Sequence, residues 1–294
     1  NAMLRSSAAP QKAMIATIGM VFIVVILNPI FIFGLNMGMR GSALATVLSQ
    51  GIMLCYQLHH FYNKNNCIYF QKGIFKLRWN MISKMMSIGL SPFFMNLTAC
   101  MVVIIITNSL TRYGGDVAVG AYGIINRFLF FFVMIVIGLM QGMQPIVGYN
   151  FGAKLYNRAF KALKLSIMFA TFISVIGFLL GEFFPDMITS MFTTDKQLTE
   201  IAASGMRIMM MAVPLLGIQV ISTGFFQSIG YVKTAIFLSL LRQLILIIPA
   251  LLVFPLFFGL NGIWMSVPVS DTLATIISVT ILIYNYRQLK KLAN

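Results

Sequence analysis

Eight long apolar segments, separated by short polar connections, constrain this chain more than any other feature. A helix needs roughly 20 apolar residues to cross a hydrocarbon core of about 30 Å. The segments cover residues 13–35, 41–62, 83–110, 117–147, 165–185, 201–228, 234–258 and 263–286. Only 9% of the 294 residues are charged, whereas soluble domains carry about 25%. The sequence therefore predicts an all-α integral membrane protein with eight transmembrane helices.

Basic residues are concentrated in alternate connections, which predicts how the chain is oriented. One side receives fifteen basic residues and no acidic residue: Arg5, Lys12, Lys64, Lys72, Lys76, Arg78, Lys84, Lys154, Arg158, Lys161, Lys164, Lys233, Arg287, Lys290 and Lys291. The other side carries Asp116, Asp186, Asp195 and Glu200 beside three basic residues. Because cytoplasmic loops are enriched in Lys and Arg, the first side and both termini are predicted to be cytoplasmic. This sidedness assigns the net charge of +15 to membrane topology rather than to nucleic-acid binding.

The last two segments repeat the first two at a fixed offset of 221 residues. Gly38-Met-Arg-Gly41 aligns with Gly259-Leu-Asn-Gly262, and six further identical residues align without a gap. Parallel repeats of this kind are typical of secondary transporters. Because the four segments between the repeated pairs have no counterpart, we interpret the chain as a truncated form of a twelve-helix protein that lacks four N-terminal helices.

This interpretation divides the chain into four parts. Residues 1–3 are interpreted as vector-derived, and residues 4–62 as the last two helices of an N-terminal lobe. Residues 63–82 are predicted to form a cytoplasmic inter-lobe loop, and residues 83–294 a complete C-terminal lobe of six helices. Cys55, Cys67 and Cys100 form no CxxC pair, so the sequence predicts neither a disulfide framework nor a metal site.

A glycine- and amide-rich run at residues 138–153 closes the fourth segment. It contains Gln141, Gln144 and Pro145 and is followed by the basic connection. Proline removes a backbone donor, so a bend or helix end is predicted there. We expect the turn to lie at residues 149–153. Downstream, the spacing Thr194-Asp-Lys-Gln197 predicts a capping box that starts the sixth helix.

These motifs together resemble the multidrug and toxic compound extrusion (MATE) family. The resemblance is carried by Gln141-Gly-x-Gln-Pro-x-x-Gly-Tyr-Asn-x-Gly-Ala153, by Leu110-Thr-Arg-Tyr-Gly-Gly-Asp116 and by Ala121-Tyr-Gly-Ile-Ile-Asn-Arg127. Further matches are Leu27-Asn-Pro-Ile-Phe-Ile-Phe33, Leu241-Arg-Gln243, Gly259-Leu-Asn-Gly-Ile-Trp264 and Pro268-Val-Ser-Asp271. The chain resembles the fifth to twelfth helices of that family, over residues 4–290.

The resemblance implies twelve helices in two lobes around a central cavity. It implies multidrug efflux from a bacterial inner membrane, with amphipathic or cationic molecules exported in exchange for Na⁺ or H⁺ and with no bound cofactor. Family members often carry an acidic coupling residue on the first helix. This sequence does not contain that helix, so it identifies neither the coupling ion nor an independent transport activity.

Asp271 is interpreted as the one carboxylate inside a span, where a charge costs roughly 2.5–3.5 kcal/mol on insertion scales. Arg242 or a water-filled cavity could compensate it. The functional interpretation is cation coupling or binding of a cationic substrate. The alternative is a structural ion pair between the seventh and eighth helices, which the sequence favours slightly.

Amides inside the apolar segments provide the other candidate site residues. Asn96, Asn126, Gln141, Gln144 and Gln219 are predicted to bind substrate or cation together with Arg242 and Asp271. An amide that faces lipid without a partner is costly, so some of these side chains must face the interior. Each of them could instead bridge two helices. As a set, they predict a moderately polar cavity in the C-terminal lobe.

Four functions are compatible with this sequence. The first is a secondary multidrug exporter, because no P-loop for ATP hydrolysis is found. The second is a flippase of lipid-linked oligosaccharides, which is disfavoured because such a cavity needs several cations and the spans offer mainly Arg242. The third, a membrane-embedded enzyme, lacks a cluster of catalytic carboxylates or histidines. The fourth is an inactive structural fragment.

Overall fold

A computed structural model of the chain describes residues 3–4, 10–62 and 79–293. The described part does not include Arg5, Cys67 or residues 63–78 of the predicted inter-lobe loop. It also does not include residues 1–2, which were interpreted as vector-derived. The described residues form helices and turns and contain no strand. The chain separates into two compact units, Asn1–Trp79 and Asn80–Asn294.

The first unit is a helical hairpin. Helix α1 (Pro10–Pro29) continues into a π-helical turn, Ile30–Gly34, and helix α2 (Gly38–Tyr62) follows. The Lys12 ammonium donates to Nδ1 of His60 over 2.9 Å, so the start of α1 lies beside the end of α2. The two helices pack antiparallel, and each satisfies its backbone hydrogen bonds within the helix, as a membrane requires.

The described chain from Trp79 onward, which includes the second unit, contains seven helices and a second π-helical segment. They are α3 (Trp79–Gly152), α4 (Tyr156–Phe183), α5 (Pro185–Ser190), α6 (Lys196–Met210), α7 (Val213–Ser228), α8 (Val232–Leu240), the π-helical segment Leu241–Ile247 and α9 (Ile248–Ala293). One apolar core is built around Trp264, Met206 and Met210. A second core is built around Phe225, Phe226 and Ile221, and α7 contributes all three.

Helices α3 and α9 are each interrupted by a single glycine with a positive φ angle. Gly115 has φ +66° and ψ −167°, and Gly259 has φ +56° and ψ −132°. A residue with a Cβ atom is strained at these positive φ angles, so glycine permits the break. Both breaks lie in the connections between predicted apolar segments, at residues 111–116 and 259–262.

The two glycine motifs of the internal repeat adopt similar local geometry. Gly38 and Gly259 have φ angles of +54° and +56°. A Cβ on Gly41 would lie 2.8 Å from the carbonyl oxygen of Phe31, and a Cβ on Gly262 would overlap the carbonyl oxygen of Phe254. In a straight helix, the ten residues from Phe31 to Gly41 would span about 15 Å, and the eight from Phe254 to Gly262 about 12 Å. The chain therefore turns back sharply at each motif, and glycine permits the close approach.

We expect Gly262→Ala to destabilise the second unit by about 1–3 kcal/mol, because the added methyl group must displace the Phe254 carbonyl. The measurement is the midpoint of thermal unfolding in detergent micelles, followed by circular dichroism. Gly138→Ala is the matched control, since a Cβ at Gly138 meets no atom within 4 Å. Equal midpoints for the two variants would show that this turn tolerates a side chain.

Several predicted boundaries were wrong. The helix predicted at residues 165–185 runs from Tyr156 to Phe183, so its first turns contain Arg158, Lys161 and Lys164, which were predicted to lie in a connection. The N-cap of α6 is Asp195 rather than Thr194, and its carboxylate accepts from the backbone nitrogen of Gln197 over 2.9 Å. Pro145 neither ends nor breaks α3, which continues to Gly152. The segment predicted at residues 201–228 is two helices bent by 52°.

By length and composition, four stretches of the described chain can cross a membrane. These are Gln11–Gly34, Asn96–Gly152, Tyr156–Phe183 and Val232–Tyr286, and the bent pair α6 and α7 makes a fifth if it counts as one span. Asn96–Gly152 has 57 residues, about 85 Å of helix, which exceeds one bilayer crossing nearly threefold. The chain is therefore a multi-pass membrane protein, and the count of eight spans stays a prediction.

Candidate polar cavity of the second unit

A cavity of about 220 Å³ lies within the second unit. Helix α3 contributes Asn96, Ile137 and Met140 to its wall, and α7 contributes Gln219, Val220, Thr223 and Gln227. The rest of the wall is formed by Leu238, Ser239, Arg242 and Gln243. Seven of these eleven residues carry polar side chains, in a protein whose composition is predominantly apolar. The predicted moderately polar cavity is therefore present in the structure.

One face of α7 lines the cavity with three polar side chains. Gln219, Thr223 and Gln227 are four residues apart, so they stand above one another along one side of the helix. The Thr223 hydroxyl donates to the carbonyl of Gln219 over 3.0 Å. Helix α7 is held closely in place, because its apolar residues Ile221, Phe225 and Phe226 are fully buried in the second core.

Three further polar residues of the wall come from the end of α8 and the π-helical segment. Ser239 lies in α8, and Arg242 and Gln243 lie in the wider turns of Leu241–Ile247. Single π-helical turns are frequent at functional sites, since they redirect side chains from their α-helical positions. Here the π-helical turn lets two consecutive polar residues line the same cavity. The Gln243 side chain is also held by the Thr98 hydroxyl, which donates to its Oε1.

Arg242 and Asp271 form an ion pair with two contacts. The Nε of Arg242 donates to Oδ1 of Asp271 over 2.6 Å, and its Nη2 donates to Oδ2 over 3.2 Å. The Asp271 side chain is 3% exposed and the Arg242 side chain 22% exposed. Arg242 therefore lines the cavity while Asp271 lies behind it. Paired contacts of this kind fix both the position and the plane of the guanidinium group.

Gln219 is the most unusual residue of the cavity wall. It is 3% exposed, and its Oε1 accepts no hydrogen bond from any residue that the structure describes. A buried acceptor without a partner costs about 1–3 kcal/mol. By contrast, Oε1 of Gln227 accepts from Nε2 of Gln144 over 3.1 Å. Two glutamines on the same face of α7 thus differ in whether the protein itself satisfies them.

The structure brings most of the predicted site residues together and leaves two apart. Asn96, Gln219 and Arg242 line the cavity, Asp271 contacts Arg242, and Gln144 contacts the lining residue Gln227. Asn126 and Gln141 do not line it, although they lie on the same helix as Asn96. The sequence interpretation did not include Thr223 or Ser239. The spacing of four residues between Gln219, Thr223 and Gln227 is a signal that could have identified Thr223.

A second carboxylate inside an apolar helix was missed. Glu182 lies near the end of α4, so the interpretation of Asp271 as the one carboxylate inside a span was wrong. Its Oε2 is buried and has no hydrogen-bond partner among the described residues. Glu182 lies outside the cavity wall and at the opposite end of α4 from the lysines.

The cavity suits binding better than covalent chemistry. Its wall presents amides, hydroxyls and one guanidinium that is already paired, and the described lining residues include no histidine, cysteine or free carboxylate. Such groups donate and accept hydrogen bonds without taking up protons near neutral pH. The arrangement can therefore hold a polar group or an ion.

Comparisons with known proteins agree on one family. The sequence matches the MatE family over residues 92–252. It is 28% identical over 277 residues to the multidrug export protein MepA of Staphylococcus aureus strain bovine RF122 / ET3-1, covering 94% of this chain and 61% of the relative. The MepA protein of Staphylococcus haemolyticus strain JCSC1435 is 28% identical over 283 residues, which cover 96% of this chain and 62% of the relative.

Solved structures show the same fold. The crystal structure of MATE in the straight conformation superposes with a TM-score of 0.91 at 19% identity, over 98% of this chain and 65% of that chain. The present chain thus spans about three fifths of the length of the curated relatives that it matches. At this sequence identity, the structural likeness establishes the fold alone.

Proposed function

This chain belongs to the MATE family of transporters, and on that basis we propose that it is part of a secondary multidrug exporter. Members of the family are transporters and not enzymes. The relatives named above are multidrug export proteins. The exporter would carry amphipathic or cationic small molecules out of the cell in exchange for Na⁺ or H⁺. It would lie in the bacterial inner membrane, with both termini in the cytoplasm.

The observation that supports this proposal is the amide-lined cavity inside an otherwise apolar unit. Ligand sites typically combine apolar walls with a few convergent polar groups, over about 300–1,000 Å³. At about 220 Å³, this cavity is smaller than that range. We therefore assign it to the polar end of a drug-sized molecule, or to the coupling ion with its water. Asn96, Gln219 and Arg242 form the proposed site, with Asp271 and Gln144 behind it.

The flippase alternative is not supported by this geometry. A flippase of lipid-linked sugars must bind diphosphate, which calls for unpaired cationic side chains. Among the described lining residues Arg242 is the one basic side chain, and Asp271 already neutralises it. A neutral, amide-rich wall fits amphipathic or weakly cationic compounds better than a diphosphate.

Transport can be tested with ethidium in vesicles that carry an imposed Na⁺ or H⁺ gradient. We expect gradient-dependent extrusion, and we expect Asn96→Leu to reduce its rate roughly tenfold, because one hydrogen-bonding group of the site is lost. Asn126→Leu is the matched control, since both asparagines are exposed on α3 and only Asn96 lines the cavity.

The assay is run both with the 294-residue chain and with the reading frame that contains it. Absence of gradient-dependent extrusion across a broad panel of dyes, in both forms, would refute the proposed function. Equal losses in Asn96→Leu and Asn126→Leu would refute the assignment of the site to this cavity, while leaving the exporter itself standing.

A further inference from the structure

Two apolar grooves flank the first turns of α4, and one lysine lines both of them. The larger groove, of about 800 Å³, lies between α4 and the last part of α3, and Arg158 and Lys161 line it. The smaller groove, of about 440 Å³, lies between α4 and the end of α9, and Lys161 and Lys164 line it. Each groove is therefore apolar along its length and cationic at one end.

The walls of these grooves are long apolar helices. Gly138, Gly142 and Ile146 line the larger groove, and Ile167, Leu282 and Tyr286 line the smaller one. All of them belong to stretches that can cross a membrane by length and composition. Both grooves are thus surfaces that hydrocarbon chains can occupy in a bilayer.

The cationic end of the grooves has no acidic counterpart. Arg158, Lys161 and Lys164 are exposed side chains, and they form no ion pair among the residues that the structure describes. The sequence contains no Asp or Glu between Asp116 and Glu182, nor after Asp271. Asn157 adds an amide to the wall of the smaller groove beside Lys161. The local charge is therefore positive and uncompensated by the protein.

We propose that these two grooves and the three cationic side chains form a binding site for an anionic phospholipid. The phosphate would lie between Arg158 and Lys161, and the acyl chains would lie in the grooves on either side of α4. Basic pockets between membrane helices are known to bind lipid head groups, because cation and phosphate meet at the depth where hydrocarbon begins. The proposal is independent of the transported substrate.

The site can be tested with lipids that carry brominated acyl chains, which quench a nearby tryptophan. The reporter is Leu165→Trp, because Leu165 is exposed in the larger groove, in a chain that also carries Trp79→Phe. The other tryptophan, Trp264, is buried in the first core. The protein is reconstituted in vesicles of three parts phosphatidylcholine and one part phosphatidylglycerol, with bromine on one lipid at a time.

We expect brominated phosphatidylglycerol to quench the reporter preferentially, with a relative binding constant about fivefold higher for each cation that contacts it. Lys161→Gln should lower that preference about fivefold. Lys233→Gln should leave it unchanged, because Lys233 is exposed at the start of α8, carries the same charge and lines neither groove. Equal quenching by both lipids, or equal effects of the two substitutions, would overturn the proposal.

The grooves are tested separately from the charges by Gly142→Leu. A Cβ at Gly142 meets no atom within 4 Å, and Gly142 lines the larger groove, so a leucine there would extend into the groove. We expect it to reduce quenching by phosphatidylglycerol severalfold while every cation is kept. Undiminished quenching in this variant, together with displacement of the lipid by millimolar glycerol phosphate, would show a site for soluble phosphate and overturn a lipid site.

Discussion

Asp271→Asn is expected to lower the free energy of unfolding by about 3–5 kcal/mol, because it leaves the Arg242 guanidinium without its counter-charge. The Asp271 side chain is 3% exposed and both contacts to Arg242 are short. The lost carboxylate is almost fully shielded from solvent, and water can reach the guanidinium only from its cavity side. The measurement is the thermal unfolding midpoint of the purified chain in micelles.

Asp186→Asn is the matched control for that substitution. It makes the same chemical change in the partner of Arg207, where the charged atoms are 3.7 Å apart and both side chains are more than half exposed. Exposed ion pairs contribute little, so the midpoint should hardly change. If Asp271→Asn unfolded at the same temperature as Asp186→Asn, the buried pair would not stabilise this fold.

The double variant Arg242→Met with Asp271→Leu separates stability from transport. Replacing both members of a buried ion pair by apolar residues of similar size is often neutral or stabilising. We expect the unfolding midpoint to return to that of the parent. If this stable variant does not extrude ethidium, the Arg242–Asp271 pair takes part in binding or coupling. If the variant is as stable as the parent and extrudes ethidium at the same rate, the role of the pair is structural only.

The membrane character of this chain could be predicted from composition, whereas the faces of its helices could not. In a soluble helix, the apolar side marks the core. In a membrane, lipid is as apolar as the protein interior, so a helix such as α3 is apolar on all sides. For this reason Asn96 and Asn126 are equal candidates in the sequence, although the structure shows that only Asn96 lines the cavity.

Local backbone irregularities account for the other differences. Nothing in the apolar run at residues 234–258 indicates the π-helical segment Leu241–Ile247, because its side chains are compatible with an ordinary α-helix. This segment nevertheless decides that Arg242 and Gln243 both face the cavity. The apolar run at residues 201–228 likewise does not indicate the bend between α6 and α7. Only Pro214, in the first turn of α7, is typical of the start of a new helix. The positions of the breaks at Gly115 and Gly259 were predictable, since both glycines lie in connections between the predicted apolar segments.

Gln219→Leu is expected to stabilise the protein and to reduce transport. The side-chain oxygen of Gln219 is buried and unpartnered among the described residues, so its removal relieves a cost of about 1–3 kcal/mol. Leucine has a similar size and can pack against the same neighbours. We expect a higher unfolding midpoint, together with roughly tenfold slower ethidium extrusion, because a polar group of the proposed site is lost.

Gln227→Leu is the matched control, and its effect on stability has the opposite sign. Gln227 lies on the same face of α7, two turns further along, but its Oε1 accepts from Gln144. The substitution removes that partner and leaves the amide of Gln144 unsatisfied, so the unfolding midpoint should fall. The same chemical change on one helix face thus separates an unsatisfied amide from a satisfied one.

The opposite signs make this comparison decisive for the site. Proteins retain a destabilising group where function requires it, so greater stability with lower activity is the mark of a binding residue. A fall in the midpoint of Gln219→Leu would mean that Gln219 is satisfied, for example by water in the cavity, and would contradict the prediction. If the midpoint rises and the rate of extrusion is unchanged, Gln219 does not take part in binding. Its buried oxygen would then destabilise the fold without contributing to transport.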